Sequence, residues 1–308
     1  MKGPLFYSKI LLFGEYGIIK DSKGLSIPYN FYNGALKKDG AQTEAALQSN
    51  KNLERFAKYL KTLEEQVEFD LATLEKDVAE GMYFDSSIPQ GYGVGSSGAL
   101  VAAIYDKYAI DKITVLENLT RDKLLELKAI FGKMESFFHG KSSGLDPLNS
   151  YLSLPILINS QDHIEPAGIP SQTPDGKGAV FLLDSGIVGE TAPMVSIFME
   201  NMKQEGFRNM LKEKFVKYTD ACVDDFLKGD VKSLFGNVKH LSKTVLNHFK
   251  PMIPAQFHKL WQNGLETNDY YLKLCGSGGG GYILGFTEDI DKAREALKDY
   301  KLEVVYNF

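Results

Sequence analysis

Between Pro89 and Tyr105 the chain reads PQGYGVGSSGALVAAIY, where glycine density, paired hydroxyls and the start of an apolar helical pattern coincide. Gly91, Gly93, Gly95 and Gly98 permit tight turns and close approach of backbone to a ligand, and Ser96 and Ser97 bring hydroxyls to the helix start. Uncapped amides and the positive end of a helix dipole at that point favour phosphate, although a plain turn before a helix has the same look. Gly93 to Gly98 also satisfies G-x-G-x-x-G, but no clear second strand ending in an acid follows about 20 residues on, which argues against a dinucleotide-binding unit. The chain contains no G-x-x-x-x-G-K-[ST] run, and Gly95 to Ala99 lacks the closing glycine of a nucleophile elbow.

A second constellation lies in MESFFHGKSSGLDPLNS, where Glu135 and His139 sit one helical turn apart, Gly140 can stop the helix, and a serine-glycine turn leads to Asp146. Taken singly, Glu135 reads as a solvated helix face and His139 as a partner of the helix C-terminus; their pairing beside another glycine-serine loop makes them candidates. Lys9 interrupts an apolar strand, an edge position unless a buried anion offsets its desolvation. His240, His248 and His258 have no carboxylate cluster around them and read as structural.

These residues need elements to position them. LFYSKILLFGEYGII, from Leu5 to Ile19, predicts a strand, a turn and a second strand, and Asn33-Gly34 is a turn signal in the strand-rich segment that follows. Leu53, Phe56, Ala57, Leu60, Leu63 and Val67 mark an amphipathic helix that Ser49 or Asn50 can cap. Asp70 opens a shorter helix ending at Gly81, and MYFDSSI brings a strand up to the glycine loop. Thr120 caps a helix with Leu124, Leu127, Phe131, Met134 and Phe138 on its core face. YLSLPILI and AVFLLDS predict strands, with the turn-rich EPAGIPSQTPDGKGA between them as the best domain boundary. Thr191 to about Leu265 reads as helical, and the remainder as strand, loop, strand, a helix from Asp289 to Tyr300, and strand.

At 308 residues, 44% apolar and 24% charged, the chain can bury a sizeable core, most simply in two domains. A net charge of −5 gives no basic field for nucleic acid. No apolar run approaches the roughly 18 to 20 residues of a bilayer span, and ILLF, flanked by Lys9 and Glu15, is too short for a signal peptide. Two cysteines outside any ligand pair fit a reducing, cytoplasmic setting.

Three separated motifs line up with one family. SKILLFGEY at Ser8 to Tyr16, PQGYGVGSSGA, and KLCGSGGGG at Lys273 to Gly281 resemble, in order, the three motifs of the GHMP kinases. HGKSSGLD at His139 to Asp146, with Glu135 upstream, and LLDSGIVGETAPMV with its Thr-capped helix most resemble the mevalonate kinase subgroup. The resemblance implies an α+β fold with a ribosomal protein S5 domain 2-like N-terminal domain at 1–175, a ferredoxin-like C-terminal domain at 176–308, and ATP and Mg²⁺ as cofactors. It also implies that Gly91, Gly93, Val94, Gly95, Ser96, Ser97 and Gly98 wrap the ATP phosphates, that Ser97 or Ser96 with Glu135 holds Mg²⁺, and that Asp146 and Lys9 are catalytic. Glu15, Tyr16, His139, Ser143, Gly276, Ser277 and Gly278 would meet the small-molecule alcohol, with a homodimer left open and neither nucleic acid nor membrane as partner. The chain departs from the family pattern at Tyr16 (commonly His), Tyr7-Ser8 (Pro-Gly), Ser142 (Pro), Cys275 (Thr) and Ser277 (Ala). Those departures bear on the acceptor more than on ATP, leaving phosphomevalonate kinase, diphosphomevalonate decarboxylase and a non-catalytic sugar-binding regulator as alternatives.

Overall fold

The computed structural model describes residues 4–63, 67–114 and 119–308. Its first elements are β1 (Phe6–Phe13), β2 (Gly24–Lys37), α1 (Glu44–Leu60), α2 (Leu71–Ala79), β3 (Tyr83–Ser86), α3 (Ser96–Tyr108), α4 (Arg121–His139) and α5 (Leu145–Leu152). There follow β4 (Ile156–Ser160), β5 (His163–Pro166), β6 (Ala179–Asp184), α6 (Thr191–Asn201), α7 (Glu205–Met210), α8 (Lys217–Lys228), α9 (Val231–His248) and α10 (His258–Thr267). β7 (Tyr271–Leu274), β8 (Tyr282–Thr287), α11 (Ile290–Ala296) and β9 (Leu302–Asn307) complete the chain. No described helix is long and apolar enough to cross a membrane.

The chain divides into two compact units: Met1–Lys9 with Ile27–Pro89 and Gly95–Leu154, and Ile10–Ser26 with Gln90–Val94 and Pro155–Phe308. In the first unit α3 is the central element. Ala99, Val101, Ala102, Ala103 and Ile104 are all buried, so small side chains let α4 and α5 pack closely on it. The helices come close at Gly98, where a Cβ would stand 2.7 Å from the Asp146 carbonyl carbon and 2.8 Å from the Pro147 nitrogen. That glycine brings the first turn of α5 against the first turn of α3, and with it Asp146.

The helix starts read as caps are found at Asp70 and Thr120, whose side chains accept from Thr73 N and Lys123 N. α1 differs. It begins two turns earlier, capped by Thr43 on the Ala46 amide, and ends in a 3-10 turn at Lys61–Leu63; the helical pattern on to Val67 crosses residues 64–66, outside the described residues. Ser49 and Asn50 lie inside α1 and spend their polar groups on tertiary contacts. Ser49 Oγ accepts from Phe84 N at 2.9 Å, and Asn50 Nδ2 donates to the carbonyls of Val78 (2.8 Å) and Met82 (2.7 Å). Asn33-Gly34 is likewise no turn, because β2 runs through it and pairs with β3; the Phe84 ring fills the space a side chain at Gly34 would need.

In the second unit, Gly24–Ser26 of β2 pairs with β4, which pairs with β5. Gly17–Lys20 is a 3-10 turn rather than the expected strand, and Tyr151-Leu152, read as the start of a strand, ends α5 in the first unit. β6 to β9 form a four-stranded antiparallel sheet in the order β7-β8-β6-β9, a ferredoxin-like arrangement with α6 to α10 inserted between β6 and β7. Residues 179–183 of β6 are fully buried, as expected for its near-continuous apolar run. α11 stops at Ala296, short of Tyr300, and starts at the cap Asp289. α6 is capped by no side chain: Thr191 is its first residue, after Glu190.

Asn50 distinguishes the two roles of a polar residue near a helix start. Asn50→Ala removes the donor to two carbonyls and should cost about 1 to 3 kcal/mol in the urea unfolding free energy. Asn50→Asp, a good cap that cannot donate, should cost nearly as much; a neutral Asp variant would return Asn50 to a capping role.

Candidate active site

Lys9 lies on β1 among apolar neighbours and is only 4% exposed, a position that costs an isolated ammonium several kcal/mol. The buried anion that this requires is Asp146, whose Oδ1 is 2.8 Å from Lys9 Nζ. The pair is asymmetric, with the lysine side chain 5% and the carboxylate 38% exposed, so Asp146 keeps an accessible face. Gly144, in the left-handed region at φ 75°, turns the chain into α5 and sets Asp146 in the helix's first turn, where the dipole favours a carboxylate. Gly95 packs against the same pair: a Cβ there would stand 3.1 Å from Lys9 Cγ and 3.8 Å from Asp146 Oδ2, on backbone at φ 82°. Gly95 is also the N-cap of α3 and offers no side-chain cap, so the first amides of that helix meet no capping oxygen.

Glu135, on α4, is 3% exposed. Ser97 Oγ donates to its Oε1 at 2.8 Å, Ser142 Oγ donates to its Oε2, and Ser97 Oγ also lies 3.0 Å from His139 Nε2. Burial, and secondarily the negative charge of Asp146, pushes the Glu135 carboxyl up to about 7, against the smaller opposing pull of the two hydroxyls and Lys9. Ser142 in addition accepts from Gly144 N at 3.0 Å, and Ser143 Oγ lies 3.4 Å from Leu145 N, so both serines shape the turn that carries Asp146. Lys9, Gly95, Ser97, Glu135, His139 and Asp146 are thus assembled within the first unit. Ser142 was visible in the sequence only as a departure from a motif; its hydroxyl is a direct partner of Glu135.

Ser96 and Gly98 lie in the first turn of α3 and Ser143 before α5, all in the first unit, and the other site candidates belong to the second unit. Gly91 and Gly93 have φ of 75° and 78°, and the loop lies backbone to backbone on its neighbours: Gly189 N donates to Gly91 O (2.9 Å), and a Cβ at Gly93 would meet Cys275 O at 2.6 Å. Val94 is buried beside it. Gly276 and Gly278 to Gly281 all have positive φ, and the loop is tied by Gly279 N to Met252 O (2.7 Å) and Gly281 N to Ile187 O (2.6 Å). Glu15 and Tyr16 are engaged within the protein. Glu15 Oε1 receives Lys273 Nζ at 2.6 Å with both side chains about 5% exposed, and the Tyr16 hydroxyl donates to Ser277 O at 2.7 Å. Lys273 carries no local signal for this role beyond opening the third glycine motif. His240 stacks on Tyr218 and His258 Nε2 lies within hydrogen-bond reach of two carbonyls, while among the described residues no group of three or more His, Cys, Asp or Glu is placed to hold a metal.

Residues 53–153, which contain the glycine loop, Glu135 and Asp146, match the family model of the GHMP kinases N terminal domain. No curated protein sequence matches the chain. Among solved structures, mevalonate kinase from L. major in complex with R-mevalonate is similar at 17% identity over 97% of this chain and 93% of that one, with a TM-score of 0.63. The chain has the GHMP kinase fold. Methanococcus jannaschii mevalonate kinase shares that fold at 18% identity over 99% and 98% of the two chains (TM-score 0.59). So does Streptococcus pneumoniae phosphomevalonate kinase, solved with phosphomevalonate and AMPPNP, at 14% identity over 99% of each chain (TM-score 0.62). The motif resemblance is borne out at the level of the GHMP superfamily and its α+β two-domain architecture, and mevalonate kinases recur among the similar structures.

Glu135 makes a pH prediction with a definite sign. A carboxyl whose folded pKa is raised from 4.5 to about 7 contributes stability that is fully present below 4.5 and lost as pH rises through about 7. In metal-free buffer, Glu135→Gln should therefore gain in melting temperature relative to wild type between pH 5 and pH 8. A difference that stays flat across that window would contradict the burial argument.

Proposed function

We propose that this GHMP-fold chain is an ATP-dependent phosphotransferase that moves the γ-phosphoryl group to the hydroxyl of a small alcohol, with mevalonate as the acceptor and 5-phosphomevalonate as the product. The observation that carries the reading is the Lys9–Asp146 pair, held at 2.8 Å against Gly95 at the uncapped start of α3. Phosphoryl transfer needs positioned charge more than covalent chemistry. The amides at the start of α3, with the preceding glycine loop, suit phosphate. Asp146, half-exposed, takes or orients the acceptor's hydroxyl proton; Lys9 Nζ beside it stabilises the oxygen as it becomes nucleophilic. The acceptor oxygen forms its bond to the γ-phosphorus as the bond to the β-phosphate oxygen breaks, and ADP leaves with the electron pair.

Mg²⁺ fits the residues present. Glu135 is a buried carboxylate that accepts from the hydroxyls of Ser97 and Ser142, and burial, with the nearby charge of Asp146 second, raises its pKa; hard oxygen donors of this kind suit a hard cation, whose charge would offset the desolvation. Ser97 or Ser96 with Glu135 would hold it, the phosphates completing a shell that needs no protein cluster of three acids; the ion supplies charge neutralisation at the transferring group. His139 and Ser143 are retained as acceptor-side residues, and the family-type domains at 1–175 and 176–308, a cytoplasmic location and the open question of a homodimer belong to the same proposal.

The test is purified protein with ATP and Mg²⁺ against mevalonate, phosphomevalonate, diphosphomevalonate, homoserine and galactose, read by ADP release and product mass. Turnover of mevalonate is expected; turnover of phosphomevalonate alone reassigns the acceptor, and no ADP release with any acceptor sinks the kinase reading. Asp146→Asn should lower kcat roughly 10²-fold or more with the KM for ATP little changed. Lys9→Met should also lower kcat, and the double variant should lose less than the product of the single losses if the pair acts as one unit. Near-normal kcat in folded Asp146→Asn protein would remove Asp146 from the chemistry.

A further inference from the structure

Tyr16 has φ 59° and ψ −34°, in the left-handed half of the map where a bulky side chain is a rare and strained occupant. Such a conformation costs on the order of 1–3 kcal/mol and persists only where the surroundings over-determine it. Here they do so from three sides. The ring stacks on Phe198 at 4.6 Å between centroids and lies 6.1 Å from Phe249; the hydroxyl donates to Ser277 O at 2.7 Å; and the preceding residue, Glu15, is fixed by Lys273 Nζ at 2.6 Å. Lys273 Nζ also donates to Leu274 O at 2.8 Å, so one ammonium ties the Gly14–Tyr16 turn to the strand end that launches the glycine run. The two ties land either side of Cys275-Gly276, immediately before Gly278 to Gly281.

We propose that Tyr16, Glu15 and Lys273 are positioning residues forming a latch that pre-orders the Gly276–Gly281 loop, and that Tyr16 is not a contact of the acceptor. The chemistry supports a latch. Tyr16 is 8% exposed and its only hydroxyl proton is spent on a main-chain carbonyl; burial, and secondarily the charge of Glu15, holds the phenol well above its ordinary pKa, so it remains a donor at any working pH. Two lone charges would be too costly to keep buried, and the Glu15–Lys273 pair spends them on each other while Lys273 also donates to Leu274 O, which holds the two segments together. A loop with five glycines at positive φ, four of them consecutive, has high intrinsic freedom, and ordering it before a ligand arrives reduces the entropy lost on binding.

As a device of the proposed kinase the latch rests on that reading, but its first test does not. Tyr16→Phe keeps the stacked ring and removes only the hydroxyl, so the fold should survive. Amide hydrogen exchange of the ligand-free variant should be at least about tenfold faster at Gly279 and Gly281, whose amides are bonded to Met252 O and Ile187 O, with core amides of β6 unchanged. The second arm is calorimetric binding of MgAMPPNP and, where turnover exists, steady-state kinetics: nucleotide affinity should fall about 5- to 20-fold with the acceptor KM unchanged, as expected for lost pre-ordering. Glu15→Gln/Lys273→Met, which removes both charges together, should give the same local exchange pattern if it folds. Unchanged exchange at Gly279 and Gly281 in Tyr16→Phe overturns the latch, and a rise in acceptor KM alone returns Tyr16 to the acceptor site. If wild type binds no MgAMPPNP while the exchange pattern appears, the kinase reading fails and the latch stands.

Discussion

A buried ammonium on β1 constrains much of the first unit. Lys9, 4% exposed, cannot remain charged without a counter-charge, and the nearest carboxylate in sequence, Glu15, is committed to Lys273. The counter-charge comes instead from Asp146, 137 residues away, and delivering it requires α5 to lie against the start of α3. That in turn forbids a side chain at Gly98, and Gly95 is pressed against both members of the pair. Gly95 and Gly98 therefore leave the room in which Lys9 and Asp146 meet.

The two buried ion pairs differ in a way that separates chemistry from scaffolding. Lys273 and Glu15 are equally hidden, at 4% and 5% side-chain exposure, and each is the other's counter-charge. Lys9 is equally hidden, yet Asp146 retains 38% exposure and one face free of the lysine. A symmetric buried pair holds segments together; an asymmetric one leaves a carboxylate open to solvent beside a cation that is not. Glu135 completes the electrostatics from the other side. Its carboxyl is raised mainly by burial and secondarily by the charge of Asp146, against the smaller pull of the two serine hydroxyls and Lys9.

Much of this was legible in the sequence where the cause is local. Asp70, Thr120 and Asp289 cap the helices their positions suggest, because a side-chain oxygen two or three residues before a free amide needs nothing else to act. The same chemistry misleads when tertiary structure competes for it: Ser49 and Asn50 look like caps but bond to the β3 segment, and Asn33-Gly34 looks like a hairpin turn but is a strand position emptied for the Phe84 ring. Thr191 sits at a helix start without capping it, since the chain enters α6 through Glu190. Lys9 stood out as a charge in an apolar strand, Asp146 as a carboxylate after a glycine turn, and Glu135 only through its pairing with His139 beside that glycine-serine loop, their roles coming from the motif resemblance. Ser142 and Lys273 did not, because their roles depend on partners that only the folded chain brings near, Glu15 being 258 residues from Lys273.

What the family pattern leaves open is concentrated where this chain departs from it. Ser142 replaces a proline, and a proline there could supply neither the hydroxyl that donates to Glu135 nor the acceptor for the Gly144 amide. The turn before Asp146, which a proline would stiffen through its ring, is stiffened here through hydrogen bonds that end on the buried Glu135. Asp146 and Glu135 are thereby coupled mechanically as well as electrostatically: whatever changes the charge on Glu135 also changes the strength with which Ser142 holds the turn carrying Asp146. Glu135 Oε2 and the Gly144 amide are thus linked through the one Ser142 hydroxyl, which donates to the first and accepts from the second.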